Sequence, residues 1–202
     1  MANGSNDIIA IYTDHAADFD ALRGRRLVEK HWLDRFRSLL PSNGSILDIG
    51  CGAGDPIARY FIENGHEVTG IDASEPLIAL CRERFPSSLW AIADMRDVAL
   101  GRRFDGLIAW HSFFHLTAAD QRRMFGVFRA HANPGAALMF TAGPDDGEAI
   151  GTFQGRPLYH ASLARSEYES LLAGHGFRLM DHVVNDPDCG GATVYLAKCE
   201  NG

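Results

Sequence analysis

Short runs of aliphatic residues alternate along this chain with longer stretches in which apolar residues recur at helical spacing. Most of the short runs are bounded by glycine, proline, asparagine or aspartate, which favour turns, as expected for buried strands. The pattern predicts five strands, at residues 46–49, 66–72, 88–94, 104–110 and 135–143, with helices between most of them. Strands that alternate with helices at these lengths indicate an α/β fold with a mainly parallel sheet.

The two ends of the chain add different elements to this core. Residues 14–40 carry a helical pattern with Gly24 as a predicted break, which suggests a helical cover at the N-terminus. Near the C-terminus, strand patterns at 178–186 and 193–200 are separated by only six residues, so we expect an antiparallel hairpin. Residues 143–160 are rich in glycine, proline and aspartate and show no period. They are predicted to form a long functional loop or lid.

Composition and charge exclude several classes of protein. With 202 residues, of which 46% are hydrophobic, the chain is globular and long enough to bury a core. A net charge of −7 and the lack of a long basic stripe argue against a nucleic-acid partner. The start of the chain has no signal-peptide pattern and no run reaches membrane-spanning length, so we expect a cytoplasmic protein without a membrane partner. The four cysteines show no C-x-x-C spacing, and no metal site is predicted.

The segment ILDIGCGAGDP, residues 46–56, carries the most specific chemical signal. Its glycines at every second position, Gly50, Gly52 and Gly54, permit positive φ angles and a close approach of a ligand to the backbone. Asp55 is predicted to cap the following helix, with the next residue, a proline, in the first helical position. The segment is therefore predicted to form a strand, a glycine turn and a helix, a combination that suits nucleotide-like ligands.

The charge of this segment argues against a dinucleotide. A Rossmann dinucleotide site needs G-x-G-x-x-G, and Asp55 occupies the place of the third glycine. A carboxylate there, with Asp48 close by on the strand, would repel a pyrophosphate. A ligand that carries positive charge and no phosphate is favoured instead.

Taken together, the motifs of this chain resemble those of class I S-adenosylmethionine-dependent methyltransferases. ILDIGCGAGDP resembles the first motif of that family, VTGIDAS the second, AIADM the third and FDGLIAWHSFFHL the fourth. The resemblance implies a Rossmann-like three-layer α/β sandwich with a mainly parallel seven-stranded sheet, in which the last strand of the C-terminal hairpin inserts antiparallel. It also implies S-adenosyl-L-methionine as the cofactor and methyl transfer by in-line displacement to a small-molecule acceptor.

On this interpretation, residues 1–202 form a single methyltransferase domain, and we expect a monomer or a homodimer. Its predicted parts are a helical N-terminal cover at 1–40, a cofactor-binding core at 41–142, a lid or substrate loop at 143–165, and a C-terminal helix and hairpin at 166–202.

The cofactor contacts of the family carry over to defined positions of this chain. The resemblance implies that the glycine turn meets the methionine and ribose portions, and that Asp72 accepts hydrogen bonds from both ribose hydroxyls. It also implies that Asp94 accepts a hydrogen bond from the adenine amino group while Met95 packs on the ring. The predicted cofactor-binding residues are Tyr12, Asp48, Gly50, Cys51, Gly52, Ala53, Gly54, Asp72, Ala73, Ser74, Ala93, Asp94, Met95, Trp110 and His111.

The methyl acceptor is expected near the ends of the first and fourth strands. His111 and His115 follow the fourth strand, and either could act as a general base because an imidazole titrates near neutral pH. The alternative for each is a hydrogen-bonded structural histidine. The predicted substrate-binding residues are Arg26, Phe113, Arg156, Tyr159 and His160. Oxygen, nitrogen, sulfur and carbon acceptors are all compatible with these residues.

Two other functions stay open on the sequence alone. A nicotinamide-dependent oxidoreductase shares the α/β pattern, although Asp55 in the place of the third glycine disfavours it. A non-catalytic module would keep the S-adenosylmethionine pocket and transfer nothing.

Overall fold

The computed structural model describes residues 4–24 and 26–200. Residues 1–3, 25, 201 and 202, which belong to the predicted N-terminal cover and the predicted C-terminal segment, lie outside the described residues. Its helices are α1 (Gly4–Asp14), α2 (Ala16–Arg23), α3 (Lys30–Ser38), α4 (Ile57–Glu63), α5 (Glu75–Arg84), α6 (Ala118–His131) and α7 (Arg165–Gly174). Its strands are β1 (Ser45–Ile49), β2 (Glu67–Asp72), β3 (Leu89–Ile92), β4 (Phe104–Ala109), β5 (Ala132–Ala142), β6 (Gly147–Phe153), β7 (Arg156–Ser162), β8 (Phe177–Asp186) and β9 (Ala192–Cys199). None of the helices described is long and apolar enough to span a membrane.

Seven of the strands form one twisted sheet in the order β3-β2-β1-β4-β5-β9-β8. The first five pair in parallel, whereas β9 pairs antiparallel with β5 on one side and with β8 on the other. The predicted sheet, with its last strand inserted antiparallel, is confirmed. The carboxyl ends of the parallel strands therefore lie at one edge, where α/β proteins bind their ligands.

Helices cover both faces of the sheet, so both faces are buried. Successive residues of a strand point to opposite sides and therefore pack in different clusters. Ile46 of β1 packs in the cluster formed with α3 and α4, while its neighbour Leu47 packs in the cluster formed with α6 and α7. Leu107 and Ile108 of β4 divide between the two clusters in the same way. The predicted three-layer arrangement is confirmed.

The structure corrects the prediction for the segment after the glycine turn. Helix α4 begins at Ile57, its N-cap is Pro56, and no side chain caps it. The Asp55 carboxylate instead accepts two hydrogen bonds from the Arg59 guanidinium, from Nε at 2.9 Å and from Nη2 at 2.7 Å. A bidentate ion pair one helical turn away satisfies this carboxylate better than a single backbone N–H would.

The predicted lid at 143–165 is also different from expectation, because it contains an antiparallel hairpin, β6 and β7, and not an irregular loop. Gln154 and Gly155 form the tight turn between the strands, with φ angles of 49° and 74°. Two consecutive positive φ angles are typical of the turns that join hairpin strands. The composition of this segment, rich in glycine, proline and aspartate, therefore did not indicate the hairpin that it forms.

A buried polar network holds the end of this hairpin against the core. The Tyr168 hydroxyl donates a hydrogen bond to Gln121 Oε1 at 2.5 Å and accepts one from the Leu163 backbone N–H at 3.0 Å. The Gln121 amide in turn donates to the carbonyls of Leu116 and Ala161. Since Ala161 belongs to β7, this network joins α6 and α7 to the strand that covers the functional site.

Removing the Tyr168 hydroxyl should destabilise the fold. We expect Tyr168→Phe to lower the free energy of unfolding by about 1–3 kcal/mol in urea titrations, because it leaves two buried partners without a hydrogen bond. Tyr195→Phe is the matched control, since the Tyr195 ring is equally buried but its hydroxyl has no hydrogen-bond partner among the described residues. Equal effects of the two substitutions would contradict the role of the network.

Candidate active site

A cavity of about 350 Å³ lies at the carboxyl ends of β1, β2 and β4, covered by α1, α2 and β7. Every predicted cofactor-binding residue except Gly54 lines it, as do both candidate bases and His160. The residues that sequence analysis did not single out include Ile8, Ile9, Phe19, Arg23, Leu77, Arg96, Ser112, Phe114 and Leu158. The tertiary structure thus brings most of the predicted site to one place.

Asp72 holds the glycine turn from the end of the neighbouring strand. Its Oδ2 accepts a hydrogen bond from the Gly52 backbone N–H at 2.9 Å, and its Oδ1 accepts one from the Ser74 N–H at 2.9 Å. Burial raises the pKa of Asp72, and these backbone donors oppose that shift. A half-buried carboxylate that lines the cavity is in position to accept further hydrogen bonds from a ligand there.

The glycines of the turn are needed for packing as well as for conformation. A Cβ on Gly50, where φ is 73°, would lie 2.4 Å from Ser112 Cβ, in the loop that follows β4. Ser112 Oγ donates to the Ile49 carbonyl at 2.7 Å, so the two loops are in direct contact. Gly54 packs against Phe85 and Cys81, and not on the cavity, which corrects its predicted ligand contact.

One end of the cavity carries charged groups of both signs. Asp48 is buried, and burial, followed by the nearby charge of Asp72, raises its pKa to about 7. Arg23 also lines the cavity, and its guanidinium forms an ion pair with the buried Glu29. Arg23 was missed, although it follows Phe19 by four residues and should therefore share its face of α2. This end suits a ligand that has both a cationic and an anionic group.

Another part of the cavity wall is formed by the segment after β3. Ala93, Asp94 and Met95 line it as predicted. The Asp94 carboxylate accepts hydrogen bonds from the Arg96 backbone N–H at 2.9 Å and from Arg96 Nε at 3.0 Å. A ligand amino group at this position would therefore share Asp94 with Arg96.

Both ring nitrogens of His115 are engaged. Because the Tyr159 carbonyl can only accept, Nδ1 of His115 carries the proton and donates to it at 2.9 Å. Nε2 is then the acceptor for the Tyr12 hydroxyl, at 3.1 Å. Burial lowers the pKa of His115 to about 4 and raises that of Tyr12 to about 12. His115 thus joins α1 to β7 as a neutral ring, which fits the structural alternative better than a general base.

His111 occupies an unusual backbone conformation directly after β4. Its φ is 52°, a region that non-glycine residues seldom adopt, and its N–H donates to Thr141 Oγ1 at 2.8 Å. Burial, followed by the charge of Arg23, lowers the pKa of His111 to about 4. Such strain concentrates at functional positions. A neutral imidazole therefore lines the cavity where the reaction was predicted.

Aromatic rings close the cavity on the side of the N-terminal helices. Tyr12 stacks on Phe153 of β6 with ring centroids 5.8 Å apart, and it meets the edge of Phe19 at 5.1 Å. Phe19 in turn packs over the glycine turn, 3.0 Å from where a Cβ on Gly52 would lie. The predicted closure by Tyr12 is thus part of a larger aromatic cover.

Four of the predicted substrate-binding residues do not line the cavity. Phe113 is fully buried among the rings of the core, and Arg26 is exposed. Arg156 forms an ion pair with Asp14 at 3.0 Å, which joins β7 to α1. The Tyr159 hydroxyl donates to Glu148 of the neighbouring strand at 2.7 Å. Alternation along β7 turns Tyr159 away from the face that carries Leu158 and His160, whereas Arg156 shares that face and is held by its ion pair with Asp14.

Comparison with known proteins agrees with this architecture. Residues 46–135 match the methyltransferase domain family. A dTDP-3-amino-3,4,6-trideoxy-alpha-D-glucopyranose N,N-dimethyltransferase from Streptomyces venezuelae is 30% identical over 108 residues, which cover 52% of this chain and 45% of the relative. The chain spans about half the length of the curated relatives it matches.

Solved structures share the fold along nearly the whole chain. The Burkholderia thailandensis 1,6-didemethyltoxoflavin-N1-methyltransferase, with bound 1,6-didemethyltoxoflavin and S-adenosylhomocysteine, matches with a TM-score of 0.78 at 18% identity, covering 100% of this chain and 92% of that one. CalS10, an amino pentose methyltransferase from Micromonospora echinaspora with bound S-adenosylmethionine, gives a TM-score of 0.66 at 20% identity, covering 93% and 91%. At this level of identity, the likeness establishes the fold.

The protonation of His115 should make stability depend on pH. As the pH is lowered, the His115 imidazole binds a proton near pH 6.5 in the unfolded chain but only near pH 4 in the folded protein, where its pKa is about 4. Stability is therefore greatest above pH 6.5 and falls as the pH is lowered towards 4, by on the order of 3 kcal/mol.

Urea unfolding of the wild type and of His115→Asn at several pH values checks this. Asparagine retains a donor for the Tyr159 carbonyl but does not titrate, so the variant should lose less stability over this range. Since His111 titrates in both proteins, the difference isolates His115. Parallel pH profiles would contradict the assignment.

Proposed function

We propose that this chain, whose residues 46–135 match the methyltransferase domain family and whose fold is that of class I methyltransferases, transfers the methyl group of S-adenosyl-L-methionine to a small-molecule acceptor. The observation that carries the proposal is the half-buried Asp72, which lines the cavity and holds the glycine turn through the Gly52 N–H. The names of the relatives support it, since those of Streptomyces venezuelae and Burkholderia thailandensis denote methyltransferases that act on small molecules.

The residues present fit this cofactor. S-adenosylmethionine carries an ammonium, a sulfonium, a carboxylate and a ribose diol, and the cavity has Asp48, Asp72 and Arg23 on its walls. A cavity of about 350 Å³ is within the range of small-molecule sites. A pyrophosphate would face the Asp48 and Asp72 carboxylates, which disfavours a nicotinamide dinucleotide.

Each part of the cofactor has a complementary group in this assignment. Asp72 accepts hydrogen bonds from the ribose hydroxyls, Asp48 faces the ammonium, and Arg23 faces the carboxylate. Met95 packs on the adenine ring, and Asp94 accepts from its amino group alongside Arg96. The pair of Arg23 with the buried Glu29 fixes the direction of the guanidinium before a ligand binds.

When bound, the cofactor would supply an electrophilic methyl group, whose bond to the positively charged sulfur breaks as the bond to the acceptor lone pair forms, with the electron pair left on sulfur. The chain's own part is to position the acceptor and exclude water. Tyr12, Phe19 and Phe153 form the cover that excludes water. His115 positions Tyr12 through its hydrogen bond, and the neutral imidazole of His111 can accept a hydrogen bond from an acceptor that arrives protonated.

Calorimetric titration with S-adenosylhomocysteine, with NAD as a control ligand, tests the proposal first. We expect S-adenosylhomocysteine alone to bind, and Asp72→Asn to weaken it about thirtyfold, because hydrogen bonds to a charged acceptor contribute about 2 kcal/mol. Glu83→Gln, on an exposed position of α5, serves as the matched control and should leave the affinity unchanged.

The outcomes separate the candidate functions. Binding of NAD alone would reject the proposed cofactor, and unchanged affinity in a folded Asp72→Asn protein would reject the role of that residue. Binding of S-adenosylhomocysteine without any methylated product or cofactor hydrolysis would indicate a non-catalytic module.

Cofactor affinity should rise with pH because of Asp48. Its pKa in the free protein is raised to about 7, and a ligand ammonium favours the ionised carboxylate, so binding releases a proton. We expect the affinity for S-adenosylhomocysteine to increase about tenfold between pH 5.5 and 7.5 and to level off above. Asp48→Asn should bind more weakly and show no such increase in calorimetry. An unchanged slope in this variant would assign the pH dependence to another group.

A further inference from the structure

Four aromatic rings gather at the end of the cavity where the acceptor would react. Phe114 lies 5.1 Å from His160 and 5.8 Å from His111 between ring centroids, and His115 lies 4.8 Å from His160. Building on the proposed function, we propose that the methyl acceptor is a flat aromatic heterocycle without negative charge, bound against Phe114 and His160. A flat ring is the shape that stacks on such a wall at these spacings.

The cavity wall offers no unpaired cation to an anionic acceptor. Among the described residues that line it, the arginines are Arg23 and Arg96, which pair with Glu29 and Asp94. Burial lowers the pKa of His111, His115 and His160 alike, so these rings are neutral at physiological pH. The cation whose charge reaches His111 is Arg23, which in the proposed assignment already holds Glu29 and the cofactor carboxylate, so a carboxylate or phosphate of the acceptor would lose its hydration without a cation of its own.

A second cavity of about 360 Å³ lies on the other side of the same rings, beneath the β6–β7 hairpin. Phe114 and His160 line both cavities, so they form the partition between the reaction centre and this outer cleft. Three acidic residues, Asp145, Asp146 and Glu148, stand on its rim, and no arginine or lysine is among the described residues that line it.

The rim therefore gives the outer cleft a negative field next to the wall of rings. Arg122 lies near Asp146, but its guanidinium pairs with Glu167 at 2.5 Å. Acidic side chains at a cleft repel anions and favour neutral or cationic molecules on approach. Nucleotide sugars and dicarboxylates are thus disfavoured by the field of the outer cleft as well as by the neutral rings.

The inference is tested by titrating probe molecules into protein saturated with S-adenosylhomocysteine and measuring their binding by calorimetry at pH 7.5. The probes are 4-hydroxyquinoline, which is flat and neutral, its 2-carboxylate, which differs by one negative charge, and dTDP-glucose. We expect 4-hydroxyquinoline to bind at least tenfold more tightly than either of the others. Phe114→Leu should weaken it about fivefold and leave the S-adenosylhomocysteine affinity unchanged.

The role of the rim has its own variant. Asp145→Asn combined with Asp146→Asn should raise the affinity for the quinoline carboxylate about threefold, whereas Glu83→Gln combined with Glu200→Gln, which removes the same charge from exposed positions elsewhere, should not.

Equal or tighter binding of the carboxylate or of dTDP-glucose would overturn the inference, as would no binding of 4-hydroxyquinoline to protein that holds S-adenosylhomocysteine. Failure to bind S-adenosylhomocysteine at all would reject the proposed function instead, so the two failures are distinguishable.

Discussion

The hydrogen bonds of the Asp72 carboxylate are the constraint on which the site depends. This carboxylate stands at the end of β2 and holds the glycine turn that follows β1, at the cost of its own burial. The turn then packs so closely on the loop after β4 that Gly50 has no room for a side chain beside Ser112. Three strands of the sheet therefore fix the floor of the cavity together, and a change in any of them alters the geometry of the whole floor.

The roof of the cavity comes from parts of the chain that are distant in sequence. His115 donates to the hairpin through the Tyr159 carbonyl and accepts from Tyr12 of the first helix, so one neutral ring joins the two covering elements. Stacking of Tyr12 on Phe153 strengthens the same junction. The cavity beneath this roof is lined both by charged groups, Asp48, Asp72 and Arg23, and by the neutral rings of His111, His115 and His160. The charged groups suit the proposed cofactor, and the neutral rings suit the proposed acceptor.

Much of the floor could be predicted from the sequence, because its signals are local. A short apolar run, glycines at alternate positions and an acid at the end of the next strand lie within about 27 residues, and each has a direct conformational meaning. Arg23 and Phe19 were missed because a short amphipathic helix does not reveal what it packs against. The hairpin was missed because its turn depends on positive φ angles at Gln154 and Gly155, and glutamine gives no sign of one.

The sequence by itself determined the order of the strands and helices that build the seven-stranded sheet, the glycine turn and the acidic character of its surroundings, since these follow from periodicity and from the conformations that glycine permits. Only the tertiary structure decided which side chains reach the cavity. Phe113 and Phe114 are adjacent in sequence, yet one fills the core and the other lines the cavity. The protonation of His111 and His115 was likewise decided by burial, which depends on neighbours that approach from other elements of the fold.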